Sequence, residues 1–197
     1  MIMAKLIIKQ LNCHKSKDCS ATLARDLASD IRAQILCLQE PHAYKNRVCG
    51  FHGMESFFVR SPVIRAAIII PKHNSFNAWF MPEYSSGDIA SVTISSTLPE
   101  LNDLIIASVY CDIDKSIPPE LESLVALANR DCRKLIICAD SNSHSLLCVN
   151  DSNSRGDLFE NFIFTNNLEL HNHITSPTFV GRDTNTFIDI TLSQGIP

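Results

Sequence analysis

Apolar runs and helical spacings follow one another along the chain. Residues 5–11, KLIIKQL, read as a strand. The next segment, KDCSATLARDLASDIRA, sets Ala21, Leu23, Ala24, Leu27, Ala28 and Ile31 on one helical face, with Asp18 as the expected N-cap. QILCLQ reads as a short buried strand, so the chain opens strand, helix, strand. VIRAAIIIP, DIASVTISS and DLIIASVYC are strands rich in β-branched residues. Between the first two, PKHNSFNAWFMPEYSSG holds turn residues and another short strand. PPELESLVALANRDC predicts a helix entered through prolines, and KLIICA a strand. RGDLFENFIFTNN predicts a helix ended by Asn166 and Asn167. LELHN, SPTFV and TFIDITLS read as short strands.

Two strand-helix-strand segments thus lie near the two ends, with consecutive strands between them. That order predicts an α/β fold of two sheets packed face to face with helices outside, rather than one doubly wound parallel sheet. The 197 residues suit a single domain spanning 1–197. A hydrophobic content of 45% and a charged content of 19% are those of a globular chain. The six glycines form no phosphate-cradling loop. A net charge of −4 does not announce a nucleic-acid binder, although a local basic face is compatible with it. The N-terminus lacks a signal-peptide layout, and no apolar run approaches the roughly 18 residues of a membrane span. The eight cysteines include no CxxC pair, and several lie in apolar strands. They are expected to be mostly reduced, buried small hydrophobes.

Polar residues close several apolar strands: Asn12 after LIIKQL, Glu40 after ILCLQ, Tyr110 after IIASV and Asp140 after IICA. Asp189 stands inside FIDITL. Singly, each reads as a strand end meeting solvent. Together, with carboxylates that are costly to bury unpaired, they point to a convergent site. Oxygen donors favour a hard cation such as Mg²⁺. Zinc spacing is not found around Cys138, His144 and Cys148. His171 and His173 would share a strand face, but they read more simply as exposed residues of an edge strand. Ser141, Ser143 and Ser145 carry no nucleophile elbow.

Taken in order, LIIKQLNCHKSK, ILCLQEP, RAAIII, SVYC, ADSNSHSLL, NSRGDLFENFIFTNNLEL, PTFVG and TFIDITL resemble the endonuclease/exonuclease/phosphatase superfamily. The resemblance is closest to the apurinic-type endonuclease domain of R1-like non-LTR retrotransposons. It implies a four-layer α/β sandwich and Mg²⁺-dependent phosphodiester hydrolysis, with Mn²⁺ as the alternative ion. By the same resemblance, Glu40 is the principal metal ligand and Asn12 supports it. Asp140 aligns or activates the attacking water, Asn142 orients the scissile phosphate, and Tyr110 hydrogen-bonds it. Asp189 orients a catalytic histidine, and Thr178 and Thr186 lie near the DNA backbone. The implied substrate is double-stranded DNA, with no membrane partner and with a downstream reverse transcriptase in a full-length element. The implied setting is intracellular, nuclear for an active element.

The sequence departs from that pattern in two places. It stops at DITLSQGIP, before the Ser-Asp-His strand the group carries, and none of its seven histidines falls in such a setting. The expectation is therefore a C-terminally truncated domain with an open edge on the second sheet and impaired nicking. Cys148 stands where the branch has Trp, which predicts a looser loop. A non-catalytic DNA- or protein-binding remnant is the competing reading. A superfamily phosphatase acting on a phospholipid or inositol phosphate is the third, but no basic or apolar membrane-facing loop supports it. Lys15, Lys17, Lys45 and Arg47 lie near the Asn12 and Glu40 strand ends, where they either meet phosphates or serve as solvated loop charges.

Overall fold

The computed structural model describes residues 6–29, 34–72, 76–99, 101–143, 154–172, 178–180, 185–186 and 188–196. The expectations for His144, Cys148 and His173 lie outside them. The chain order is β1 (Ile8–Asn12), α1 (Lys17–Ser29), β2 (Ile35–Gln39), β3 (Ala43–Tyr44), β4 (Arg47–Val48), β5 (Glu55–Phe57), β6 (Ala66–Ile70) and β7 (Asn77–Phe80). A short 3₁₀ turn (Pro82–Tyr84) leads to β8 (Ile89–Ser95), β9 (Ile105–Tyr110), α2 (Pro119–Arg130) and β10 (Leu135–Asp140). Then come α3 (Ser154–Thr165), β11 (Glu169–Leu170), β12 (Phe179–Val180), β13 (Asn185–Thr186) and β14 (Asp189–Gln194).

Two sheets carry the fold. The first has the order β1-β2-β6-β5 and the second β11-β14-β10-β9-β8-β7; β3-β4 and β12-β13 are small hairpins. Both large sheets are mixed. β1 runs parallel to β2 and β9 parallel to β10, each through a helical crossover, and the remaining pairs are antiparallel.

Three apolar clusters define the layering. Leu27 of α1, with Leu23 and Ala24, packs on Leu36, Leu38, Ala67 and Ile69, one face of the first sheet. The opposite face, with Ile35, Cys37 and Ile68, meets Ala90, Val92, Ile106 and Cys138 of the second sheet. Ile105, Ala107, Ile137 and Ile190, on the far face of the second sheet, meet Leu121 and Leu124 of α2 and Phe159 of α3. The order is helix, sheet, sheet, helix. Because β2, β6 and β9 bury both faces, they read as continuous apolar runs rather than alternating ones.

Polar residues also bridge the two sheets. Gln39 of β2 is fully buried, and its Nε2 donates to Ser108 Oγ on β9 and to the Cys138 carbonyl on β10, both at 3.0 Å. Ser108 returns a hydrogen bond to the Leu38 carbonyl at 2.9 Å. Gln10 of β1 donates to the Ala139 carbonyl at 3.0 Å and accepts from Thr191 at 3.3 Å.

Local chemistry corrects the helix boundaries. Ser16, not Asp18, caps α1: its Oγ accepts from the Cys19 N–H at 3.2 Å. Asp18 stands in the first turn, where a carboxylate complements the helix dipole. α3 ends as its asparagines predict. Asn167 is left-handed at φ 51°, and the Leu168 N–H reaches back to the Ile163 carbonyl at 3.0 Å. All seven described cysteines are free, and Cys13, Cys37, Cys111 and Cys138 are buried. No helix among the described residues is long and apolar enough to cross a membrane.

Candidate active site

Strand register assembles one half of the site. Asp140 ends β10, opposite Tyr110 at the end of β9 and opposite Asp189 at the start of β14. Three chemically active side chains therefore stand on neighbouring strands at one level of the second sheet. The first sheet supplies the other half: Asn12 ends β1 opposite Gln39, and Glu40 follows at once.

The strand ends leave the sheet through left-handed turns. Glu40 has φ 44°, His14 46°, Lys15 58° and Asn142 46°. These conformations are uncommon outside glycine, and here backbone bonds hold them. The Glu40 N–H donates to the Arg65 carbonyl at 2.8 Å, and the Lys15 N–H donates to the Glu40 carbonyl at 2.7 Å. The turn at His14–Lys15 folds the chain back over Glu40. Lys15 Nζ lies 3.2 Å from one carboxylate oxygen and His14 Nδ1 lies 3.5 Å from the other. A histidine therefore stands beside Glu40, though not in the Ser-Asp-His setting of the motifs. It comes from the turn after β1, which spacing along the chain does not bring near Glu40.

Asn12 links the halves. Its amide donates to Asp140 Oδ2, and its Oδ1 accepts from the His14 N–H at 2.8 Å. Asp140 is 1% exposed, and its other oxygen accepts from the Asn142 N–H at 3.3 Å. Burial, then the charge of Asp189, pushes the Asp140 carboxyl up to about 6; the hydrogen bond from Asn12 opposes them. Asp189 is also raised by burial, while the Thr178 hydroxyl bond and the His14 charge pull it down. Its Oδ1 is buried with no hydrogen-bond partner among the described residues. Thr178 Oγ1 accepts from the Ile188 and Asp189 N–H groups at 3.0 and 3.1 Å, so it pins the start of β14. Thr186 lies in β13, paired with Phe179.

Tyr110 is raised by burial and by the Glu40 and Asp140 charges; Arg65 and a hydrogen bond with Asn142 act the other way. Asn142 also donates to the Cys111 carbonyl at 3.1 Å, which fixes its amide beside the phenol. Of the sequence candidates, Asn12, Glu40, Tyr110, Asp140, Asn142 and Asp189 all come to this end of the sandwich. His171 does not: its Nε2 is 2.6 Å from Ser193 Oγ beside edge strand β11.

The donor set suits a hard cation. It is oxygen-rich, and no group of three His, Cys, Asp or Glu among the described residues forms a metal cage. Mg²⁺ needs no such cage, because it keeps several waters and takes one or two carboxylates. Glu40, with Asn12 beside it, fits that role.

Gly87 sets how closely the segment before β8 approaches the segment before β6. A Cβ there would lie 2.5 Å from the Val63 carbonyl oxygen. The Gly87 carbonyl accepts from the Arg65 and Ala66 N–H groups at 2.7 and 3.2 Å. Gly87→Ala is expected to destabilise the protein by about 1–3 kcal/mol through overpacking. Urea unfolding measures it, and an unchanged midpoint would contradict the tight approach.

This architecture is the fold of solved endonuclease/exonuclease/phosphatase proteins, in keeping with the resemblance read from the motifs. Residues 104–195 match the family model described as endonuclease-reverse transcriptase. The endonuclease domain of TRAS1, a telomere-specific non-LTR retrotransposon, is 21% identical over 95% of this chain and 84% of its own, with a TM-score of 0.78. An AP endonuclease from Archaeoglobus fulgidus is 13% identical over 96% and 86%, with a TM-score of 0.59. The 3′ phosphatase NExo from Neisseria, bound to a product DNA hairpin, is 14% identical over 94% and 85%, with a TM-score of 0.60. No curated protein matches the chain.

The sequence reading missed Gln39, His14 and Arg65. Gln39 had a signal: a second polar residue closing an otherwise apolar strand. Arg65 had a weaker one, a lone cation opening RAAIII.

Proposed function

We propose that this end of the sandwich hydrolyses phosphodiester bonds of duplex DNA with a bound divalent cation, as a nicking endonuclease domain. One observation carries the reading. Asp140, buried with a raised carboxyl, is held by Asn12 from the other sheet and flanked by Tyr110, Asn142 and Asp189. Glu40 and Asn12 would hold the cation, which supplies Lewis acidity toward phosphoryl oxygens. Asp140 takes a proton from the attacking water; its pKa near 6 leaves it ionised at neutral pH and basic enough to serve. Asn142 and Tyr110 donate hydrogen bonds to phosphoryl oxygens as charge develops there. The exposed hairpin of β3 and β4 carries Tyr44, Lys45 and Arg47, with Lys45 Nζ 5.3 Å from the Tyr44 ring centre. Its charges suit the DNA backbone. The DNA-bound Neisseria phosphatase and the TRAS1 domain share the fold and support DNA as the substrate class.

The test is conversion of supercoiled plasmid to open circle with protein in excess. Nicking, slowed as the sequence departures imply, is expected with Mg²⁺ or Mn²⁺, to cease with chelator, and to fall at least about a hundredfold in Glu40→Ala. Duplex binding without metal-dependent cleavage would replace this reading with that of a non-catalytic DNA-binding protein.

A further inference from the structure

Outside the residues assigned so far, a charged cluster surrounds Arg65, the residue before β6. Its Nε and Nη2 bind both oxygens of Asp88 at 2.5 and 2.7 Å, and its Nη1 binds Asp112 at 2.6 Å. Lys115 lies 3.6 Å from Asp88 and 3.4 Å from Asp112. The Arg65 side chain is only 15% exposed. Two carboxylates thus fix the guanidinium plane, a geometry a planar fork makes and an ammonium does not. That plane faces the Tyr110 ring, with Cζ 4.8 Å from the ring centre.

The backbone around Arg65 completes the arrangement. Its carbonyl accepts from the Glu40 N–H at 2.8 Å, and the Tyr110 N–H donates to the Asp88 carbonyl at 2.8 Å. One residue, just before β6, therefore touches Glu40 through its main chain and Tyr110 through its side chain. It is anchored by carboxylates that precede β8 and follow β9. We propose that Arg65 is a positioning residue: it sets the Tyr110 ring and holds it in register with Glu40 across the two sheets. The inference rests on the hydrolytic reading above for its functional consequence, and on the contacts alone for its structural one.

Arg65→Met with Asp88→Asn and Asp112→Asn removes the clamp without leaving unpaired carboxylates. Arg65→Lys keeps a charge but cannot make the planar fork. The protein has three tyrosines, so ring-labelled tyrosine gives three resolvable NMR sites, and Tyr110→Phe assigns the one that matters. In metal-free protein the triple variant should displace the Tyr110 signals and leave Tyr44 and Tyr84 in place, with Arg65→Lys restoring only part. In the nicking assay kcat should fall about ten- to a hundredfold with KM held within about twofold, the mark of misplaced chemistry rather than lost binding. Unmoved Tyr110 signals, or loss confined to KM, would overturn the proposal. If the wild-type protein does not nick, the hydrolytic reading fails, and the NMR comparison still decides whether Arg65 positions Tyr110.

Discussion

Asp140→Asn is expected to abolish metal-dependent nicking while making the metal-free protein more stable at neutral pH. The catalytic loss should be at least about a hundredfold, the range a positioned general base contributes. The stability gain follows from the raised carboxyl. In the unfolded chain Asp140 titrates near 3.8, and in the folded protein near 6. Below the lower value the carboxyl is neutral in both states and has no effect. Between the two, the folded protein binds the proton more tightly, so rising pH erodes stability; above the higher value the full penalty is present. Asparagine never ionises, so it escapes the penalty and can still accept from Asn12. With chelator present, the gain at pH 7.5 should be about 1–3 kcal/mol and should shrink toward zero as pH falls through this window. A variant that loses stability at pH 7.5, or gains it equally at pH 3.5, would show that burial does not set the carboxyl's behaviour.

The second large effect lies away from the site. Phe159 on α3 is 1% exposed and packs edge-on against Phe162, with ring centres 6.0 Å apart. Both join the cluster that fastens α2 and α3 to the outer face of the second sheet, beneath Asp140 and Asp189. Phe159→Ala should cost about 3–5 kcal/mol, the usual range for emptying an aromatic core position. Guanidinium unfolding measures it. Phe164, on the same helix and 84% exposed, is the control: its alanine variant should lie within about 0.5 kcal/mol of the parent.

Strand ends were readable because apolar runs stop abruptly at Asn12, Glu40, Tyr110 and Asp140; three of them close a strand, and Glu40 follows β2 at once. The two-sheet arrangement was readable from runs that bury both faces. Neighbours across the sheets were not. Nothing in the spacing of Asn12 and Asp140, 128 residues apart, announces their hydrogen bond. The His14 contact was hidden for another reason. It depends on two consecutive left-handed residues, neither of them glycine, and sequence pattern does not mark such turns. The helix starts mislead in a milder way, since Ser16 and Asp18 are both good caps and packing of α1 decides between them.

Gln39 and Glu40 are neighbours with opposite fates: one amide is sealed between the sheets, and one carboxylate is turned out toward His14 and Lys15. β2 is apolar on both faces, so its hydrophobic pattern alone would tolerate a slip of one residue. Such a slip would drive the Glu40 carboxylate into the gap that Gln39 fills and bring Pro41 to the place Glu40 now holds. Burying that charge unpaired costs several kcal/mol. The residue proposed to hold the cation would therefore also act as a proofreader of strand alignment, excluding the misfolded register in which the site could not form.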